Sequence, residues 1–288
     1  MIGFSDKKLS SVYRALINSL TAASIDSAQK EARIILTQRT PYDWGSLVSN
    51  GDVDLSDEQF NLICSDLESR LNGVPLSRLY GEREFWGLNF LLSPETLDPR
   101  PDTETIIDIA KRRFEKKEPE MILDLGTGSG CILISLLSEF KASRGVGIDL
   151  SLGAVNMARE NAKKNNCADR SMFYCGDWAR ALNEKFDLVV SNPPYISNQI
   201  IPTLSLEVRN HDPILALDGG NDGLIAYRQI FSSLKNLLNL SGIALFEIGY
   251  DQEETVSRLA VDYGFLVHGV HPDLAGQPRV VDMSSGDK

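Results

Sequence analysis

Apolar positions in the first 75 or so residues recur at helical spacing. Leu9, Val12, Tyr13, Leu16, Ile17 and Leu20 share one face of a helix expected to start after Ser5 and its neighbours. Asp26 with Gln29 reads as a capping box opening a second helix through Ala32, Ile35 and Leu36, which Pro41 interrupts. Ser56 with Gln59 opens a third, where Phe60, Ile63, Leu67 and Leu71 form the stripe and Gly73 closes it. These signals predict a small helical bundle over residues 1–76. It shows no chemistry of its own and suits a docking role.

After it the period changes. Residues 84–86 and 88–92 flank Gly87 and are expected to pair as a hairpin inside a linker, 77–100, where Pro94, Pro99 and Pro101 end regular structure. Strand-like runs at 121–125, 145–148, 171–174, 186–191 and 243–248 then alternate with helical stretches at 131–139, 152–165, 224–238 and 253–263. Such alternation predicts an α/β unit over 101–288 with a parallel sheet and right-handed crossovers. The last runs, 265–270 and 279–282, have no helix between them and are expected to close one edge as an antiparallel pair. The sheet is then mixed and seven-stranded.

Composition adds limits. A chain of 288 residues, 42% hydrophobic and 24% charged, is globular and long enough for one or two domains. Its start lacks the layout of a signal peptide, and no apolar run approaches the roughly 18 residues that span a bilayer. Four cysteines without a CxxC pair and three histidines predict reduced, buried thiols, neither disulfides nor a metal site, and a cytoplasmic location. Charge changes the picture more. With 29 basic against 40 acidic residues the net is -11, which should repel naked nucleic acid and favour a small molecule or a protein partner. Most of the excess falls after residue 80, where 21 basic residues face 30 acidic ones.

Chemistry concentrates in two loops. Ile122-Leu123-Asp124-Leu125-Gly126-Thr127-Gly128-Ser129-Gly130 is a strand running into a glycine turn and a helix, and Asp149 ends the next strand, placed to accept both hydroxyls of a ribose. Together they point to an adenosine-type cofactor. The spacing is not the dinucleotide G-x-G-x-x-G. The shifted third glycine and Asp124 resemble motif I of S-adenosylmethionine-dependent methyltransferases, and a carboxylate at Asp124 suits a cationic ammonium better than a pyrophosphate. Asp177 and Trp178, after the third strand, stand where this class places an acid for the adenine amine and an aromatic for its ring. A nicotinamide cofactor is the competing reading of this loop.

The second loop is Asn192-Pro193-Pro194-Tyr195, at the end of a strand. Two prolines stiffen it and remove two N–H donors. An amide nitrogen is a poor nucleophile because its lone pair is delocalised. To accept a methyl it needs both hydrogens held and its lone pair turned to the donor. The Asn192 side-chain oxygen and the Pro193 carbonyl can accept those hydrogens, and Tyr195 can stack on the planar group. Catalysis is then positioning and electrostatics, with no titrating base. The tetrapeptide resembles that of methyltransferases acting on planar nitrogens, adenine in nucleic acids or glutamine in proteins.

Further stretches carry a closer resemblance. They are residues 81–86 (GEREFW), 99–104 (PRPDTE), 124–130, 191–196, 216–224 (ALDGGNDGL) and 273–281 (DLAGQPRVV). Over nearly its whole length the chain resembles the release factor glutamine methyltransferase family (PrmC/HemK). The resemblance implies a Rossmann-like class I methyltransferase domain behind a helical bundle, with S-adenosylmethionine as donor and S-adenosylhomocysteine as product. It implies transfer to the glutamine amide of the Gly-Gly-Gln motif in class-1 peptide chain release factors, by a monomer that contacts neither nucleic acid nor membrane. The cofactor would meet Gly126, Thr127, Gly128, Ser129, Gly130, Asp149, Trp178 and Asn192. Asn192, Pro193, Pro194 and Tyr195 would hold the glutamine, and Arg100 with Pro101 would line the entrance. The family often has Phe-Glu-Pro where this chain has His211-Asp212-Pro213, read as a tolerated variant with His211 a packed or solvated loop residue. Asp102 and Glu104 read as caps of the helix starting around Thr103. The alternative function is an N6-adenine methyltransferase of DNA or RNA, which would need a basic target-recognition region that residues 1–80 lack.

Overall fold

In a computed structural model of the chain, which describes residues 6–286 apart from Ala181 and the side chains of Leu47 and Val48, the helical stripes of the N-terminal part become α1 (Leu9–Ala22), α2 (Ala28–Arg39), α3 (Trp44–Ser49), α4 (Asp57–Leu71) and α5 (Leu76–Tyr80). Leu9, Val12, Leu16 and Leu20 are buried with Ala32, Ile35, Leu36, Ile63 and Leu67 in one core. The box at Ser56 forms: its hydroxyl accepts from Gln59 N at 3.2 Å, and Gln59 Oε1 accepts from Ser56 N at 3.0 Å. The box expected at Asp26 does not. Ala28 N bonds Ile25 O in a turn, so α2 opens after Ser27, whose hydroxyl pairs with Glu31. Ser5 lies outside the described residues.

The chain divides into two compact units between Tyr80 and Gly81. The stretch expected as a linker is shared between them. α5 closes the first unit, and the hairpin of β1 (Glu82–Phe85) and β2 (Leu88–Leu91) opens the second. The second continues with α6 (Glu104–Arg113), β3 (Met121–Leu125), α7 (Cys131–Glu139), β4 (Arg144–Asp149), α8 (Leu152–Lys164), β5 (Ser171–Cys175), β6 (Phe186–Ser191), α9 (Leu206–His211), α10 (Ile225–Leu234), β7 (Leu238–Glu247), α11 (Glu253–Asp262), β8 (Phe265–Pro272) and β9 (Pro278–Ser285). The helix expected over 224–238 stops four residues early, because Leu237 O accepts from Phe186 N and Leu238 pairs with Phe186, drawing the chain into the sheet.

The sheet runs β5-β4-β3-β6-β7-β9-β8, parallel from β5 to β7 and antiparallel where β9 inserts between β7 and β8. Central strands are buried on both faces, which explains their unbroken apolar runs. Ile122, Leu188 and Val190 pack with α6, α7 and α8 through Ile107, Leu133 and Val155. Leu123, Val189 and Phe246 pack with α10 and α11 through Phe231 and Val256. Strand order reverses at β3, with β4 on one side and β6 on the other, so chain exits diverge above the carboxyl ends of these strands and leave a crevice. Residues 126–130, 149 and 192–195 all leave from those ends.

Asn161 of α8 ties the hairpin to that crevice. Fully buried, it accepts from Leu91 N at 2.7 Å and donates to Leu91 O at 2.9 Å and to Ser129 O at 2.8 Å. Truncating it strands one buried backbone group, Ser129 O, and two partly buried ones, Leu91 N and O. Asn161→Ala is therefore expected to lower the unfolding free energy by about 2–3 kcal/mol, read from urea unfolding. A change within about 0.5 kcal/mol would show that the hairpin is held by its apolar contacts alone.

Candidate active site

The glycine loop forms because its backbone enters the left-handed region three times. Gly126, Gly128 and Gly130 have φ of 72°, 55° and 81°. Gly126 N and Thr127 N both bond Ile148 O, at 2.8 and 2.9 Å, which pins the turn to the end of β4. A Cβ at Gly130 would meet Ile134 and Ala158 at 2.9 and 3.1 Å, so this glycine lets α7 close on α8. At Gly128 a Cβ would meet nothing within 4 Å, and the backbone there is open to a ligand.

Two carboxylates anchor the loop. Asp149 accepts from Gly128 N at 2.8 Å and from Ser151 N at 2.9 Å, one bond on each oxygen, leaving a lone pair on each for a diol. Burial raises its pKa against those backbone donors. Asp124 is wholly buried, and Thr127 donates to its Oδ2 at 2.6 Å. Burial lifts its pKa to about 7, with the Thr127 hydroxyl opposing and the Asp149 charge adding to the rise. Its Oδ1 has no partner among the described residues. A buried, half-satisfied acid suits a cationic group above it.

The loop faces a cavity of about 370 Å³. Gly126, Thr127, Gly128, Ser129, Asp149, Asp177, Trp178, Asn192, Pro194 and Arg100 contribute to its wall. Gly130, Pro101, Pro193 and Tyr195 do not. Trp178 holds φ at 50°, a strained conformation for a bulky residue, and its Nε1 donates to Gln229 Oε1 at 2.7 Å. Its ring lies 3.5 Å from where a Cβ on Gly126 would stand, so the indole roofs the turn.

On the far side β6 delivers Asn192. Ser191 donates to Leu125 O at 2.6 Å and locks the end of β6 to β3. Asn192 Nδ2 donates to Thr103 Oγ1 at 3.2 Å, which leaves its Oδ1 as an acceptor. Among the described residues no donor bonds the Pro193 carbonyl. Tyr195 turns away from the cavity, its hydroxyl 3.4 Å from Glu247 Oε1 and its carbonyl accepting from Gln252 at 3.0 Å. A Cβ at Gly223 would lie 2.4 Å from the Tyr195 carbonyl and one at Gly219 would lie 2.9 Å from the Tyr195 backbone, so these two glycines serve as the close packing face of this loop. Burial, then the Glu247 charge, raises the Tyr195 pKa.

Other motif residues brace this arrangement. Arg279 pairs with Asp273 at 3.1 Å and Asp102 at 3.4 Å, joining 273–281 to the turn that carries Thr103. Glu104 accepts from Trp86 N at 2.9 Å. The capping role expected of Asp102 and Glu104 is absent, since the turn Pro101–Thr103 leads into α6 without a side-chain cap. Arg100 bonds the buried Asp212 at 2.5 Å, so the variant triplet supplies the partner that orients Arg100. Sequence reasoning gave Thr103, Glu247, Asp212 and Asn161 no place in the site. Thr103 and Asp212 lie inside or beside motif stretches, whereas nothing in the sequence marks Glu247 or Asn161.

Residues 103–207 match the methyltransferase small domain family and residues 11–81 match the PrmC N-terminal domain. The chain is 42% identical to a release factor glutamine methyltransferase of Bradyrhizobium diazoefficiens over 282 residues, 96% of this chain and 95% of that one. A protein of the same name from Agrobacterium fabrum is 38% identical over 285 residues, 98% of this chain and 99% of that one. In fold it is similar to a methyltransferase from Pyrococcus furiosus, with a TM-score of 0.54 at 16% identity over 78% of this chain and 99% of the other.

The buried acids make stability depend on pH. An acid whose folded pKa exceeds its unfolded value keeps its proton longer in the folded chain, so stability declines as pH rises between the two values. For Asp124 that window runs from 3.8 to about 7. Asp124→Asn is expected to flatten the fall in urea midpoint across this window, and a slope equal to the parent's would contradict the buried, proton-holding carboxyl.

Proposed function

The chain belongs to the release factor glutamine methyltransferase family, and from that premise we propose how its residues methylate a glutamine side chain. S-adenosylmethionine, when bound, supplies an electrophilic methyl on a sulfonium. Asp149 would hold its ribose hydroxyls, the backbone of residues 126–130 would lie along it, Trp178 would cover the adenosine, and Asp124, buried beneath the loop, would favour its cationic ammonium. The donor set fits: acceptors for a diol, an orphaned buried acid for a cation, and an open glycine for close approach.

Asn192 carries the reading, because it is held through Nδ2, which leaves Oδ1 as an acceptor, and it lines the cavity the glycine loop shares. Its oxygen and the Pro193 carbonyl accept the two hydrogens of the glutamine amide, and the nitrogen lone pair then faces the cofactor side. Pro194 and Tyr195 stiffen and back this contact, and Arg100 with Pro101 borders the way in. No residue needs to remove a proton before transfer. The proton released afterwards passes to solvent.

The substrate is the Gly-Gly-Gln glutamine of class-1 release factors. Residues 1–76 dock the factor, and the acidic balance of the second unit favours a basic face on it. The enzyme acts as a monomer in the cytoplasm. Among the described residues no helix is long and apolar enough to cross a membrane.

Incubation with S-adenosylmethionine and an unmodified release factor, followed by fragmentation, should place one methyl on that glutamine. The intact factor should be modified at far lower concentration than a short Gly-Gly-Gln peptide. Methyl transfer into DNA adenine with none into the factor would reverse the assignment. Asn192→Ala is expected to abolish turnover while S-adenosylmethionine affinity stays within about tenfold, a shift of roughly 1.4 kcal/mol. Parallel loss of binding and turnover would remove Asn192 from the transfer step.

A further inference from the structure

From its Cα to its amide nitrogen an extended glutamine side chain spans only about 5 Å. A glutamine whose amide meets Asn192 must therefore bring its own backbone, and that of its neighbours, into the cavity that Asn192 lines. Peptide carbonyls that leave water there need a donor. The segments 97–100 and 213–216 offer few. They give the wall Leu97, Pro99, Pro213, Leu215 and Ala216, the two prolines have no N–H, and Ala216 N already donates to Pro213 O at 2.9 Å. Arg100 stands among them, the one cation lining that cavity among the described residues.

What Arg100 offers is set by Asp212. This acid is buried where α9 ends, its own N–H held by Val208 O at 3.0 Å. Its Oδ2 accepts from Arg100 Nη2 at 2.5 Å and its Oδ1 from Asp98 N at 3.3 Å, so one carboxylate holds both the guanidinium and the backbone two residues before it. Asp98, the acid nearer in sequence, lies instead against Arg83 Nε of β1, at 3.7 Å. The Arg100 side chain remains 41% exposed, and its other N–H groups meet no acceptor among the described residues. A guanidinium is a planar fork, so fixing Nη2 fixes the direction of the remaining donors. Pairing with Asp212 also offsets its charge, which suits it to a neutral carbonyl rather than to an anion.

We propose that Arg100, aimed by Asp212, donates to a backbone carbonyl of the two glycines that precede the target glutamine. Arg100 is then a specificity residue that recognises the peptide itself, and Asp212 is a positioning residue that never touches it. Glycine suits this contact because no Cβ stands between its carbonyl and the wall. The inference rests on the reading of the substrate as a Gly-Gly-Gln glutamine whose amide is held at Asn192.

The test removes acceptor and donor separately. Two Gly-Gly-Gln peptides carry a carbon–carbon double bond in place of the Gly–Gly or the Gly–Gln peptide link, so each lacks one glycine carbonyl. With parent enzyme, one of the two is expected to lose at least about tenfold in kcat/KM against the all-amide peptide. In Arg100→Met the same replacement should cost less than about threefold, because the donor is already gone. Asp212→Asn keeps an acceptor for Asp98 N but loses the charge on Arg100, and should bring that penalty below about fivefold. With intact release factor, both variants should raise KM at least about fivefold and leave kcat within about threefold. Affinity for S-adenosylhomocysteine by calorimetry should stay within about threefold in both, since neither residue bonds the glycine loop or Asp149. A carbonyl penalty undiminished in the variants, no penalty for either peptide with parent enzyme, a loss confined to kcat, or cofactor affinity lost in step with peptide would each overturn the proposal. Should one variant fail to fold, the other completes the cycle. Parent enzyme that leaves the glutamine of the all-amide peptide and of the release factor unmodified would instead overturn the assigned function.

Discussion

The site depends on one arrangement of backbone hydrogen bonds, the parallel ladders that hold β3 between β4 and β6. Leu125 faces Ile148 on one side and Ser191 on the other, so three chain exits open within one crevice. A slip of one residue in either ladder would exchange the faces of every side chain beyond it. It would also part Gly126 from Ile148 O and Ser191 from Leu125 O, the two bonds that carry register from sheet to loops. The loops inherit their precision from the sheet.

Around that crevice the polar groups are buried and bound chiefly to backbone. Asp149 is satisfied by two N–H groups, Asn161 by three backbone atoms, and Tyr195 holds Gln252 through its carbonyl. Such bonds are short-range and weakly screened by salt. Glu247, Asp102 and Asp273 stand about Arg279, whose guanidinium offsets part of their mutual repulsion and joins β9 to the turn before α6. The negative balance of this unit is therefore not only a surface property. Several of its acids are interior groups that orient the chain.

Much of this was legible along the sequence. Strands β3 and β6 and helix α7 begin and end where their apolar runs do, because fully buried elements declare themselves over short windows. The glycine loop and the tetrapeptide stood out since few residue types tolerate their backbones. Other signals misled. Asp26 and Gln29 have the spacing of a cap, yet a turn closed by Ala28 N on Ile25 O precedes the helix, which opens after Ser27 instead. The run 224–238 keeps helical periodicity beyond the point where pairing with Phe186 pulls Leu238 into the sheet. Local preference lost there to a long-range ladder.

What the sequence determined alone was the set of elements, their alternation and the two loops with unusual backbone demands, since each arises from neighbours within a few residues. Tertiary structure decided which atoms meet. Asn192 and Thr103 are 89 residues apart, and Tyr195 and Glu247 are 52 apart. Arg100 finds Asp212 from 112 residues away. No periodicity or spacing encodes those contacts, because hydrogen bonds between distant residues are chosen by the packing of the sheet and its connections. The motifs say which groups are present, and the fold gives each its direction.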